Sequence, residues 1–278
     1  MKIWQGQFSE ESFCKLRLLK IRKCHDIFVV IPSNVLPKLH NLEELHVSKC
    51  NSVKEVFELV DKEYQVETLP RLTEMFLEDL PLLTYLSGLG QIFKNLHSIE
   101  VRRCGNLIYL VTSSMAKTLV QLKVLIIEKC ESVEEIVRHE GGEEPYDIVF
   151  SKLQRLRLVN LQSLKWFCST RCIFKFPSLE QFEVKGCPQM EYFCETVPST
   201  PRVKEVKIDD HVEEHFLGCD INTIIHNIAL EKVYILKFSN VIILLTLFFT
   251  FTIFKKIVNS NFISFSSLKN LSNCEKKT

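Results

Sequence analysis

The sequence predicts a curved α/β solenoid, with a parallel β-sheet on the concave side and short helices or irregular arcs on the convex side. In the stretch Leu42–Val56 the apolar residues are two or three positions apart, which fits neither a continuous helix nor a continuous strand. The same apolar frame begins eight times, at intervals of 24 to 31 residues, at Leu16, Leu42, Leu72, Leu96, Leu122, Leu153, Leu179 and Val203. A strand, a turn and a return arc that recur in this way are typical of leucine-rich repeats.

Each repeat carries two apolar residues two positions apart, and we predict that this central pair points into the core from a short strand. The pairs are Leu19/Ile21, Leu45/Val47, Met75/Leu77, Ile99/Val101, Leu125/Ile127, Leu156/Leu158, Phe182/Val184 and Val206/Ile208. The third residue after each pair is, in turn, Cys24, Cys50, Leu80, Cys104, Cys130, Leu161, Cys187 and His211. Five thiols therefore share the Asn/Cys position of the repeat formula. Because parallel connections are right-handed, we expect a right-handed solenoid.

The repeats are predicted to form a single domain over residues 1–232, since a solenoid core grows one coil at a time. Short helices are expected over Ser33–Leu39, Gly88–Leu96 and Ser113–Leu122, the last with a serine as its N-cap, and the other arcs are expected to be irregular. The segment His139–Ile148 is rich in glycine and acidic residues, so we interpret it as an exposed loop.

After the repeats the composition changes abruptly. Residues 233–256 contain the run Phe238–Phe254, which has 17 residues without a charge and is followed by Lys255 and Lys256. Such a run is at the lower limit of length for a membrane helix. A membrane anchor, a translated non-coding tail and a final buried repeat therefore stay open as interpretations. Residues 257–278 have no repeat frame and are expected to be disordered.

Charge and cysteine content restrict the function further. The 278 residues include 46% hydrophobic side chains, and 35 basic residues balance 34 acidic ones, so no overall field favours nucleic acid as a partner. The 11 cysteines are an odd number, and the N-terminal residues lack the apolar core of a signal peptide. We therefore expect a cytoplasmic protein with reduced thiols, with membrane association through residues 238–254 as the open alternative.

Some thiols admit a second interpretation. Neighbouring strands lie about 4.8 Å apart, so Cys24 with Cys50, or Cys104 with Cys130, are close enough to form a disulfide under oxidation. Inward-facing thiols would have to rotate out of the core to do so, and we favour structural thiols. Three further cysteines could suggest a thiolate metal site: Cys168, Cys172 and Cys194. Their spacing fits no standard zinc site, and their aromatic neighbours favour buried core thiols.

No catalytic motif is convincing, and we expect neither an enzyme nor a bound cofactor or metal. His211, Glu214 and His215 match the HxxEH pattern of zinc proteases. They follow the last predicted strand directly, where solvated polar residues are expected at the end of an array. A third zinc ligand is not evident. No GxxxxGK[ST] phosphate loop is present, and the glycines nearest to that pattern are Gly88 and Gly90.

Several strings resemble a known family. NLEELHVSKCNSVKEVFEL, from Asn41, and FPSLEQFEVKGCPQMEYFC, from Phe176, are similar to the C-terminal leucine-rich repeats of plant intracellular nucleotide-binding disease resistance proteins. That family mixes repeats with cysteine and repeats with leucine after the strand, as this chain does. The closing stretch Gly218–Val233 resembles the family's last arc, which ends in a short helix. Ile3 and Trp4 fit the end of an earlier repeat, so we expect an array truncated at its N-terminus.

The resemblance implies the sensor half of such a receptor, acting in innate immunity and the defence response. Its expected partners are a pathogen effector or a guarded host protein, and the nucleotide-binding switch domain of the full-length receptor. Nucleotide binding itself does not transfer, because the phosphate loop is missing. A substrate adaptor of a ubiquitin ligase is the alternative, since such adaptors carry arrays of similar length. An F-box-like segment before the repeats would favour it, and the sequence contains none.

The recognition surface is predicted on the concave face, from the strand residues that flank the inward pairs. We expect exposed apolar residues among mixed charges there, at Phe76, Val124, Ile126 and Val159, because such residues anchor protein contacts. The predicted protein-binding residues are Lys20, His46, Phe76, Glu100, Val124, Ile126, Arg155, Arg157, Val159 and Glu183, and the central row continues to Lys207.

Overall fold

The structure is a computed structural model, and it describes residues 3, 4, 9, 11–58, 69–86, 93–140, 147–170, 172–209, 211–213, 220–227, 229, 230, 246, 250, 252 and 253. Two compact units are present, Met1–Asn227 and Ile228–Thr278. Several expectations fall outside the described residues: the start of the arc 88–96, the acidic loop at 141–146, residues Glu214 and His215, the run 238–254 apart from four residues, and the tail 257–278. No helix in the described ranges is long and apolar enough to cross a membrane.

The described strands are short and recur with the repeat. In chain order they are β1 (Leu18–Arg22), β2 (Val29–Ile31), β3 (Glu44–Ser48), β4 (Glu55–Phe57), β5 (Glu74–Glu78), β6 (Ser98–Arg102), β7 (Tyr109–Thr112), β8 (Val124–Glu128), β9 (Glu135–Arg138), β10 (Asp147–Val149), β11 (Arg155–Val159), β12 (Ile173–Lys175), β13 (Gln181–Lys185), β14 (Glu205–Ile208) and β15 (His211–Glu213).

The main sheet contains one strand from each of the eight predicted repeats and an additional ninth strand, in the order β1-β3-β5-β6-β8-β11-β13-β14-β15. The first eight are parallel, and each pairs with the next in one constant register, which confirms the predicted solenoid. The ninth strand, β15, runs antiparallel to β14. His211 therefore begins a return strand and does not take the turn position at which the sequence frame placed it.

The central pairs form the core, as predicted. Fifteen of their sixteen side chains are buried, because alternate residues of a strand point to opposite faces and the inner face packs against the return arcs. Leu19 is half-buried because β1 is the edge strand among the described strands, with β3 as its neighbour on one side. The inward frame derived from the sequence is correct in every repeat.

Each of the eight parallel strands of the main sheet is followed by a residue with a positive φ angle. The φ angles lie between 52° and 64°, at Lys23, Lys49, Asp79, Arg103, Lys129, Asn160, Gly186 and Asp209. This left-handed conformation costs an L-residue roughly 1–2 kcal/mol. It turns the backbone N–H toward the next coil: the N–H of Lys49 donates to the carbonyl of Glu78 at 2.9 Å, and that of Lys129 to the carbonyl of Val159 at 2.8 Å. These hydrogen bonds compensate part of the strain.

The thiols that follow these turns also bind backbone groups. Each donates to the carbonyl two residues earlier, for example Cys50 Sγ to Ser48 O at 3.3 Å and Cys130 Sγ to Glu128 O at 3.4 Å. Between coils, the N–H of Cys104 donates to Cys130 Sγ at 3.4 Å. The hydrogen bond to Cys130 and burial raise the pKa of Cys104. No disulfide links the cysteines within the described ranges.

The side opposite the main sheet contains more β-structure than predicted. Three parallel ribbons, β2-β4, β7-β9 and β10-β12, lie where the sequence analysis expected irregular arcs. Their residues are largely β-branched or aromatic, and these residue types favour strands. That composition was a usable signal, although each ribbon strand is only three or four residues long.

The helices are shorter than predicted. Helix α1 covers only Ser113–Ala116, where the sequence analysis expected helix as far as Leu122, and its N-cap is Thr112 instead of a serine. The Thr112 hydroxyl accepts a hydrogen bond from the Met115 N–H at 3.4 Å. The first predicted arc contains a 3-10 helix at Leu36–Leu39. The residues between Ala116 and the start of β8 at Val124 form turns and irregular backbone instead of continuing the helix.

The first unit ends in helical residues 221–227, which fits the expected final arc. Asp220 caps this helix through hydrogen bonds from the Thr223 N–H at 3.1 Å and the Thr223 hydroxyl at 2.7 Å. The Asn222 side-chain amide binds the backbone of the preceding coil. Its oxygen accepts from the N–H of Phe193 at 2.9 Å and of Cys194 at 3.1 Å, and its nitrogen donates to Cys194 O at 2.7 Å.

Candidate protein-binding face

The candidate binding surface is the outer side of the main sheet, which we call the sheet face. Its central row runs without interruption through the backbone register of eight strands. The row consists of Lys20, His46, Phe76, Glu100, Ile126, Arg157, Glu183 and Lys207. Two flanking rows complete the sheet face, one residue from each strand on either side, and they contain the other predicted residues Val124, Arg155 and Val159.

A network of ion pairs crosses the middle of the sheet face. Arg102 lies 2.9 Å from Glu100 and 3.3 Å from Glu128. Arg157 lies 3.1 Å from Glu128 and 3.2 Å from Glu183. Glu128 therefore joins two arginines on different strands, and its side chain is the least exposed of the five, at 14%. The sequence analysis named Arg157, Glu100 and Glu183 but missed Arg102 and Glu128, which occupy a flanking row.

The two arginines keep one unsatisfied donor each. The Nε atoms of Arg102 and Arg157 are buried and have no hydrogen-bond acceptor in the structure. The Arg157 Nε is near carboxylate oxygens, but its N–H does not point at either of them, so the contact is electrostatic without being a hydrogen bond. A buried donor without an acceptor destabilises the free protein, and a partner that reorients these side chains would relieve that cost.

The apolar residues of the sheet face differ from the prediction. Phe76 is half-buried, with the His46 ring centroid at 5.9 Å and the Arg102 guanidinium carbon at 5.9 Å from its own ring centroid. Val124 is half-buried as well. Ile126 is 6% exposed and Val159 is 7% exposed, so the expectation that they are exposed was wrong. Side chains on neighbouring strands are close enough to cover a short aliphatic residue between them.

A shallow cleft lies at the C-terminal end of the sheet face. Its volume is about 200 Å³, and its polar lining residues are Arg155, Arg157, Gln181, Glu183, Glu205 and Lys207. Arg155 donates to the Gln181 side chain at 2.7 Å, and Lys207 lies 2.5 Å from Glu205. The cleft is lined by alternating donors and acceptors, which suits polar groups of a protein partner.

One group of side chains on the sheet face has the composition of a metal site. Ligand atoms of Glu44, His46 and Glu74 all lie within 4.8 Å of one another. His46 Nε2 is 3.5 Å from Glu44 Oε2, so the pair also forms an ordinary surface ion pair when the imidazole is protonated. These residues could hold a divalent cation. The sequence analysis named His46 only as a protein-binding residue and did not predict the group, because two repeats contribute its ligands.

The other metal and catalytic candidates have little support. Cys168 and Cys172 are buried, and each has its sulfur 3.3 Å from the Thr170 hydroxyl. Burial raises the pKa of Cys168 to about 11 and raises that of Cys194 still further, which disfavours the thiolate that metal binding needs. The HxxEH candidate lies largely outside the described residues and is not tested.

With this geometry established, comparison with known proteins assigns the family. Residues 1–131 and 90–197 match the family model described as plant disease resistance protein RPS2-like, leucine-rich repeats. The chain belongs to this family. It is therefore a leucine-rich-repeat module of the plant disease resistance type, as the sequence resemblance indicated.

Individual relatives support the same assignment. The putative disease resistance protein At4g19050 of Arabidopsis thaliana is 26% identical over 180 residues, which cover 64% of this chain and 14% of that protein. The disease resistance protein At4g27190 of the same plant is 26% identical over 108 residues, which cover 39% of this chain and 11% of that protein. The chain thus spans only a small part of the length of these relatives. No solved structure matches it.

Proposed function

We propose that this module is the sensor and autoregulatory part of a plant immune receptor, and that the sheet face is its binding surface. The proposed ligands are a pathogen effector or a guarded host protein, and the nucleotide-binding switch domain of a full-length receptor. The observation that carries the proposal is the central row, eight outward residues in constant register on parallel strands. Such a row offers a continuous surface to a protein partner, as concave solenoid faces do.

The chemistry of the row fits a protein contact. Aromatic residues and arginines are the usual anchors of protein interfaces. Here Phe76 lies on β5 and Arg157 on β11, and of the two strands between them β6 carries a second arginine, Arg102. Ion pairs hold both arginines in place before a partner arrives. Pre-ordered anchors lower the entropy cost of binding.

We further propose that the module binds and does not catalyse, and that it acts in the cytoplasm. Burial keeps the pKa of Cys168 and Cys194 high, so these thiols are poor nucleophiles at neutral pH. Thiols without disulfide bonds among the described cysteines are in keeping with a reducing compartment.

The test is a comparison of two double variants of the full chain in plant cells. Phe76→Ala with Arg157→Ala removes one aromatic and one cationic anchor from the sheet face. The matched control is Ile173→Ala with Lys175→Ala on β12, which removes an exposed apolar residue and an ion-paired cation from the opposite side of the coils. Proximity labelling identifies partner proteins, and co-precipitation measures binding to the nucleotide-binding domain of a full-length receptor.

In the sheet-face variant we expect the labelling of specific partners, or the amount of co-precipitated switch domain, to be at least tenfold lower than in wild type. In the control variant both should equal wild type. Circular dichroism of the purified variants checks that each is folded. If the folded sheet-face variant retains wild-type labelling and wild-type co-precipitation, the sheet face is not the binding surface.

A further inference from the structure

A second surface of different character lies along the edge where the main strands begin. It consists of two rows, which we call the strand-start edge. The first row is the residue just before each strand: Arg17, Glu43, Thr73, His97, Lys123, Gln154, Glu180 and Lys204. The second is the residue two positions earlier: Lys15, Asn41, Arg71, Asn95, Gln121, Lys152, Ser178 and Arg202.

Backbone hydrogen bonds hold the first row in register from coil to coil. The N–H of His97 donates to the carbonyl of Thr73 at 2.8 Å, and the N–H of Lys123 to that of His97 at 2.8 Å. The N–H of Gln154 donates to the carbonyl of Lys123 at 2.9 Å. The side chains of these successive coils are therefore direct neighbours, and their charges act together.

The edge is basic, and its cations are unevenly paired. Seven lysines and arginines occur in the two rows, against two glutamates. The glutamates, Glu43 and Glu180, are already neutralised by Arg17 at 3.0 Å and Lys204 at 3.1 Å. In the middle coils, from Thr73 to Gln154, neither row contains a carboxylate.

The middle of the edge contains exposed cations without an ion pair. Arg71, Lys123 and Lys152 are exposed, and none of the three forms an ion pair with another described residue; Lys152 instead donates to the Gln121 amide oxygen at 2.6 Å. This contrasts with the sheet face, where Arg102 and Arg157 are each bound to two carboxylates.

The pKa of His97 reflects its burial and the positive charge of the neighbouring lysines. Burial lowers the pKa of His97, and the positive charges of Lys123 and Lys152 lower it further, while Glu74 on the adjacent strand opposes them. The two lysines are thus near enough to the imidazole to act on it. Their combined potential is available to an anionic group that approaches from solvent.

We propose that the strand-start edge docks a short acidic segment of a partner protein, with Arg71, Lys123 and Lys152 as its cationic contacts. Four coils at about 4.8 Å per step span roughly 14 Å, which equals the length of about four extended residues. An Asp/Glu-rich stretch of that length can place a carboxylate near each cation. Gln154 adds an exposed amide group on the same coils, whereas the Asn95 amide nitrogen already donates to the Pro70 carbonyl at 2.7 Å.

The edge is less suited to other polyanions. Single-stranded nucleic acid is held by aromatic side chains on which the bases stack, and apart from His97 the two rows contain no ring. A lipid surface is gripped by exposed large apolar side chains together with cations, and the two rows contain none. Charge and amide groups without stacking or insertion favour a carboxylate-rich peptide.

The test is binding of fluorescein-labelled hexaglutamate to the full chain, followed by fluorescence anisotropy at low and physiological salt. The edge variant is Lys123→Glu with Lys152→Glu. The matched control is Lys23→Glu with Lys129→Glu, which makes the same charge change at exposed lysines on the edge where the strands end. A twelve-residue oligothymidylate and phosphatidylserine vesicles are the comparison ligands.

We expect the edge variant to bind hexaglutamate at least tenfold more weakly than wild type and the control to bind within twofold. Equal weakening in both variants, or wild-type binding in the edge variant, overturns the proposal, and so does binding of oligothymidylate or vesicles without binding of hexaglutamate. If the glutamate variant does not fold, Lys123→Gln with Lys152→Gln answers the same question. The sheet-face variant should bind hexaglutamate normally, so failure of either proposal is distinguishable from failure of the other.

Discussion

Replacing Leu125 by alanine tests the repeat frame at its centre. Leu125 is 2% exposed on β8, and its register partners are Ile99 on β6 and Leu156 on β11, both fully buried. The substitution removes three carbon groups, which corresponds to about 2.4 kcal/mol of lost transfer free energy at roughly 0.8 kcal/mol per group. Both neighbouring strands are fixed by their own hydrogen bonds, so the cavity cannot collapse freely. The total loss should be about 2.5–5 kcal/mol.

The assay is urea unfolding of the full chain, monitored by circular dichroism. With an m value of about 2 kcal/mol/M, the expected loss lowers the midpoint by roughly 1–2.5 M. The control is Leu18→Ala, the same chemical change at a strand residue that is 43% exposed, where the loss should stay below about 1 kcal/mol. Equal midpoints for the two variants would refute the inward frame. A loss at Leu125 that also broadens the transition would mean that neighbouring coils uncouple.

Three further predictions use the same unfolding assay. Gly186→Ala places a Cβ at a φ of 64° and 2.4 Å from Asn160 Oδ1, so we expect a loss of about 1–2 kcal/mol, which Asn160→Ala should partly restore if the contact contributes. Asn222→Ala removes the amide that binds the backbone of Phe193 and Cys194 and should cost about 1–3 kcal/mol, whereas an unchanged midpoint would exclude a capping role. The pKa of His97 is lowered in the folded state, so stability is complete above the unfolded pKa of about 6.5 and falls as pH decreases through it. Wild type should therefore lose more stability between pH 7.5 and 5.5 than His97→Gln, and equal losses would contradict this linkage.

The sequence predicted the core better than the surface, and the physical reason differs for each. The inward pairs follow from the strand period of two and from burial, and both can be recognised in the sequence of any single repeat. Exposure on the sheet face depends on the side chains of neighbouring strands. Ile126 is covered although its position points outward, because residues from other repeats surround it. Only the register between coils supplies that information, and a single repeat does not encode it.

The same reason explains what the sequence analysis missed. Arg102 and Glu128 look unremarkable in their own repeats, and they become a network with Arg157 only when three strands are placed side by side. The ribbons on the opposite side are a different case. Val29–Ile31 and the other ribbon strands are rich in β-branched residues, which favour strands, but each strand is too short to be predicted alone. Pairing with the corresponding strand of the next coil stabilises it.

The fold separates the residues that build it from those that we propose to recognise a partner. The inward pairs, the left-handed residue after each strand and the following cysteine or leucine define each coil, and their contacts are with adjacent coils. Some side chains of the strand-start edge also hold adjacent coils together: the Asn41 amide donates to the Cys14 carbonyl at 2.6 Å and the Asn95 amide to the Pro70 carbonyl at 2.7 Å. The exposed side chain of Lys123, by contrast, forms no ion pair with another described residue. A change such as Lys123→Glu therefore alters the surface charge while the backbone ladder through Lys123 keeps its hydrogen bonds to His97 and Gln154. On the two proposed surfaces, an outward side chain can consequently be changed one coil at a time, because the inward residues of the same coil set its packing.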